Sequence, residues 1–105
     1  MTSRARRFDD VVLDAAETLE QRLGHELGVE LAVEEVPPTD PAPWEHGIPL
    51  GRLFPAERTV AARLVLYRRP VEQRAQDETE LAAIVYEVMA EQVARMYGRD
   101  PDDLA

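Results

Sequence analysis

From Asp77 to Gly98 the chain carries one long helical signature, and no other stretch limits the fold as much. Asp77 and Glu80 stand at capping-box spacing, Gly98 is suited to follow the last turn, and Pro101 lies just beyond. At 100° per residue, Leu81, Ile84, Val85, Val88, Met89, Val93 and Met96 cover one broad arc, which predicts a helix over 78–97 with a wide buried face. Gln92 projects from the middle of that arc. Glu91 and Arg95 lie along its edge, four residues apart, where they can form an ion pair. Polar groups on a core-facing arc need partners, because burying each one unsatisfied costs roughly 1–3 kcal/mol.

A second amphipathic helix is predicted over 3–23. Phe8, Val11, Val12, Ala15, Ala16, Leu19 and Leu23 recur at steps of three and four, Ser3 or Thr2 can cap the start, and Gly24 follows the end. Arg4, Arg6 and Arg7 sit at the end of the helix dipole that disfavours cations, which suits a frayed, solvated terminus better than a phosphate-binding arm. Between the helices, Val29, Leu31 and Val33 alternate with Glu30 and Glu34, giving a half-buried strand over 29–36 that ends at Pro37-Pro38. A proline-stiffened loop with the only tryptophan, Trp44, runs to Gly47. Ile48–Phe54 and Arg63–Arg68 read as two further strands, and Pro70 opens a short helical turn through Arg74. The expected architecture is α+β: an N-terminal and a long C-terminal helix on a small mixed sheet of about three to four strands. Residues 1–105 form one domain, with 1–5 and 100–105 expected as flexible ends.

Composition enters as a set of exclusions. Twenty-one acidic residues against twelve basic ones, a formal charge of −9, argue against nucleic-acid binding as the main activity. Without cysteine, and with only His25 and His46, the chain has no disulfides, no thiol nucleophile and no common Cys/His zinc site. The N-terminus lacks an apolar signal-peptide core, and no apolar run approaches the roughly 20 residues that span a bilayer, so a cytoplasmic protein is expected. Asp100, Asp102 and Asp103 form an acidic end whose ordinary state is solvated.

Arg63-Leu-Val-Leu-Tyr-Arg68, Arg69-Pro70-Val-Glu and Glu80-Leu81 leading to Tyr97-Gly98, together with Glu45-His46-Gly47-Ile48-Pro49-Leu50 in the loop, resemble the bacterial zincin-like metallopeptidases with a minimal matrix-metalloprotease-like domain. The resemblance covers most of the chain and implies their fold. In such proteins a His-Glu-x-x-His pattern lies on the last helix, followed by a glycine and an aspartate at three-residue steps. The two histidines and the aspartate hold zinc, and the glutamate activates its water. Aligned on Ala94 and Gly98, Glu91 stands at the first histidine, Gln92 at the glutamate, Arg95 at the second histidine and Pro101 at the third ligand. Glutamine is not a general base, arginine stays cationic, and proline has no side-chain donor.

The resemblance therefore implies a family member without catalytic residues, metal or cofactor. It is expected to work as a peptide- or protein-binding or regulatory module. Trp44, His46 and Tyr67 are candidates for lining its groove. The alternative is a metallopeptidase-like hydrolase with a non-standard site, in which His46 approaches Glu91. A third possibility is that the acidic surface engages a basic partner. For the former metal position the substitutions predict a polar network centred on Arg95, with Glu91 and Gln92; the simpler alternative is a solvated Glu91–Arg95 pair.

Overall fold

A computed structural model describes residues 3–38 and 48–104. In chain order the elements are α1 (Arg4–Leu23), β1 (Glu30–Glu34), β2 (Gly51–Phe54), β3 (Arg63–Tyr67), α2 (Arg68–Arg74), α3 (Glu78–Met96) and a 3-10 helix (Pro101–Leu104). The fold is α+β, with a three-stranded mixed sheet of order β1-β3-β2. β1 runs parallel to β3 in the register Glu30↔Arg63 to Glu34↔Tyr67. β2 is antiparallel to β3, from Gly51↔Leu66 to Phe54↔Arg63.

The helix ends follow the capping chemistry that the sequence offers. The Ser3 hydroxyl accepts from the Arg6 N–H at 3.1 Å, and Gly24 closes α1 in the left-handed conformation. Asp77 accepts from the Glu80 N–H at 2.8 Å, whereas the Glu80 carboxylate turns to the Gln76 N–H at 3.3 Å rather than completing a reciprocal box with Asp77. At the far end, Gly98 (φ 65°) allows the Arg99 N–H to reach the Ala94 carbonyl and the Gly98 N–H to reach that of Arg95, the paired bonds of a Schellman motif. α2 starts two residues before Pro70, directly from β3, and places the proline in the first turn, where no N–H is needed.

β1 and β2 are shorter than their alternating patterns suggest. β3 becomes helix after Tyr67, so the strand pairing of β1 ends at Glu34, and the Glu35 carbonyl accepts instead from the Arg69 N–H of α2 at 3.0 Å. β3 is buried from Leu64 to Tyr67. Its Leu64 and Leu66 join Phe8, Val12 and Leu19 of α1 and Val85, Met89 and Val93 of α3 in one core, with Leu31, Val33 and Leu53 packed at its margin. Val65 and Tyr67 alternate to the opposite face of the sheet. Tyr67, a candidate for lining the groove, is only 1% exposed there. Gly51 brings β2 against α3: a Cβ at this position would lie 2.8 Å from Val88 Cγ1 and 3.0 Å from the Val65 carbonyl oxygen.

The C-terminal segment also departs from expectation. Instead of a loose acidic end, Pro101–Leu104 coils into a 3-10 helix that sinks Leu104 completely into the core (0% exposed). The Leu104 carbonyl accepts from Arg22 Nη1 at 3.0 Å and from the Tyr86 hydroxyl, which ties the segment to both α1 and α3. At the N-terminus, Arg7 pairs with Glu78 and so joins the first turns of α1 and α3. No described helix is long and apolar enough to cross a membrane.

Candidate functional site

The positions of interest lie on the last third of α3. Glu91 and Arg95 are one turn apart, and the Arg95 guanidinium donates to the Glu91 carboxylate at 2.8 Å. Together with Tyr86, Ala90, Pro101 and Asp102 they line a surface depression of about 420 Å³ between α3 and the 3-10 helix. The fold thus gathers Glu91, Arg95 and Pro101 around one concavity. Gln92 is not part of its wall. It follows Val88 by one turn on the stripe that meets Gly51 of β2, is half-buried, and makes no hydrogen bond with the described residues.

The Arg95-centred network does not form. The Arg95 side chain is 67% exposed and that of Glu91 48% exposed, and among the described residues their only ion-pair contact is with one another. At the edge of the arc the arginine stem leads away from the core, so the guanidinium is solvated and needs no third partner. Trp44 and His46 lie outside the described residues. The His25 ring packs edge-on against Tyr97 at 5.1 Å, beside the hydrogen bond from the Tyr97 hydroxyl to the Leu27 carbonyl at 2.6 Å.

Among the described residues, the one electrostatically perturbed cluster is at the β3–α2 junction. Arg68, whose side chain is largely buried, forks onto the two Glu35 carboxylate oxygens at 3.3 and 2.5 Å and reaches Glu72 at 2.8 Å. The Arg68 hydrogen bond holds the Glu35 carboxyl below its ordinary range, and Glu35 in turn raises Arg68. This cluster fastens the chain leaving β1 to the start of α2 and has no route to Glu91. Its sequence signal is the four-residue step from Arg68 to Glu72, with Arg68 read above as the end of a strand and Glu72 as part of a helical turn.

With this geometry in view, the comparison with known families gives a clear result: residues 26–105 match the zincin-like metallopeptidases. The chain belongs to that family. No curated protein matches it in sequence.

Zinc is the metal that such a family implies, and the residues at the corresponding positions do not fit it. Glu91 alone carries a donor suited to a dication, and that donor is engaged by the Arg95 cation. Gln92 has no basic group and Pro101 no side-chain donor. Among the described residues no three His, Asp or Glu side chains are grouped to hold a metal ion.

Proposed function

We propose that this chain is a catalytically inactive zincin-like domain that works as a peptide- or protein-binding module. The observation that carries this reading is the solvated Glu91–Arg95 pair at the rim of the depression, standing where the family's chemistry needs two neutral ligands. A guanidinium stays protonated throughout the accessible pH range and repels a divalent cation. Gln92, at the place of the general base, can orient a polar group but cannot take its proton.

Support for binding comes from β2, an edge strand flanking α3. The Tyr67 N–H donates to the Leu50 carbonyl, so by antiparallel alternation Leu50, Arg52 and Phe54 face β3 with their backbone groups, while those of Gly51 and Leu53 face outward. No described strand pairs with that side. An extended peptide can add there as a further strand and lay side chains towards Gln92 and Arg95.

Titration of the isotope-labelled protein with extended synthetic peptides tests this reading. Amide shifts concentrated on Gly51–Phe54 and Glu91–Arg95, with the peptide recovered intact, are expected. Cleavage that persists in a Glu91→Ala, Gln92→Ala variant would point to contamination, whereas cleavage lost in that variant would establish the hydrolase alternative.

A further inference from the structure

On the opposite edge of the sheet lies a second surface, sharing no residue with the depression at Glu91. A groove of about 450 Å³ runs between the C-terminal half of α1 and the segment entering β1. Its apolar side includes Leu13, 60% exposed, and the half-buried Val29 and Leu31. Glu17, Glu20, Glu26 and Glu30 also line it, and no basic side chain does. The Glu20 carboxylate is partly occupied by the Leu27 N–H at 3.0 Å, and Glu17, Glu26 and Glu30 are exposed.

The strand beside this groove is open. The Glu30 N–H donates to the Ala62 carbonyl, so Glu30, Ala32 and Glu34 turn their backbone groups to β3, and Leu31 and Val33 turn theirs to the free edge. No described strand pairs with it. The side chains of Leu31 and Val33 share the core face with Leu64 and Leu66, their register partners, whereas Glu30 and Glu34 alternate to the other face.

We infer that the β1 edge and the α1 groove bind an extended basic peptide segment in which apolar residues alternate with arginine or lysine. Paired to β1, the apolar residues of such a strand lie over Leu13 and the groove floor, and the cations lie beside Glu30 and beside Glu34, which also pairs with Arg63 at 3.4 Å. A second copy of this chain is a poor occupant, because its β1 would bring Glu30 and Glu34 against the same carboxylates. Those charges thus discourage self-pairing and favour a cationic strand.

The test uses the full chain and a short synthetic peptide of alternating valine and arginine, with alternating valine and glutamate as the control. Two variants separate charge from edge pairing. Glu30→Gln with Glu34→Gln removes the two exposed carboxylates beside which the cations are placed. Val33→Pro removes an N–H that points outward, leaving the bonds to β3 in place. The basic peptide is expected to bind with amide shifts on 13–20 and 27–33, to weaken by about tenfold or more in each variant, and to lose affinity between about 0.05 and 0.5 M salt. Should Val33→Pro fail to fold, the paired glutamine variant still decides. No binding, equal binding of the acidic control, or unchanged affinity in the glutamine variant would overturn the inference. Shifts confined to β2 and α3 would also overturn it while leaving the proposed function standing.

Discussion

Arg95 places a permanent charge at the position that the proposed function assigns to the second ligand, yet its solvated setting gives that charge little weight in the stability of the fold. An exposed pair at i and i+4 contributes about 0.3–0.5 kcal/mol. A double-mutant cycle of Glu91→Ala and Arg95→Ala, read by urea unfolding, is expected to return a coupling in that range; a coupling above about 2 kcal/mol would reveal a desolvated network instead. Glu35 behaves differently, because Arg68 lowers its pKa in the folded chain below the unfolded value. The resulting stabilisation is fully present above the ordinary carboxylate range and is lost as pH falls through the folded-state pKa. The Glu35→Gln variant should therefore unfold at lower urea than the parent near neutrality, with the difference vanishing in strong acid. A difference that grows towards low pH would contradict the assignment. Spacing alone reveals that Glu91 and Arg95 can pair. Whether the guanidinium faces solvent depends on the packing of α3 against the 3-10 helix, which no local pattern encodes.

Among the elements, the two long helices are the most legible in the sequence. Their stripes repeat over several turns, and Ser3, Gly24, Asp77 and Gly98 mark their limits chemically. Strand lengths are less legible, since β1 ends where β3 turns into α2 rather than where its own alternation fades. The 3-10 helix left no periodic signal at all: one leucine after three aspartates looks like a tail until α1 and α3 are seen to close around it. Its burial predicts a large effect. Leu104→Ala should cost about 2–5 kcal/mol in urea unfolding, as large-to-small changes at fully buried sites do. A cost below about 0.5 kcal/mol, typical of a solvated end, would show that the segment does not pack in solution.

At the scale of the whole molecule, the chain belongs to the zincin-like family, and on the proposed reading the donors that would make it a metalloenzyme are replaced. α3 still aligns positions 91 and 95 on one turn, and the Schellman turn at Gly98 still carries position 101 to the same depression. What stands there is an ion pair and a proline. Both edges of the sheet leave backbone groups outward, at Gly51 and Leu53 on one side and at Leu31 and Val33 on the other, which suits a scaffold that recognises extended chains. The central claim, that the former metal position no longer holds zinc, is tested most directly by the zinc content of native protein purified without chelators. Far less than one zinc per chain is expected, and the combined substitutions Glu91→His, Gln92→Glu and Arg95→His should restore affinity only in part, because Pro101 denies the third ligand. One tightly held zinc per native chain would contradict the account.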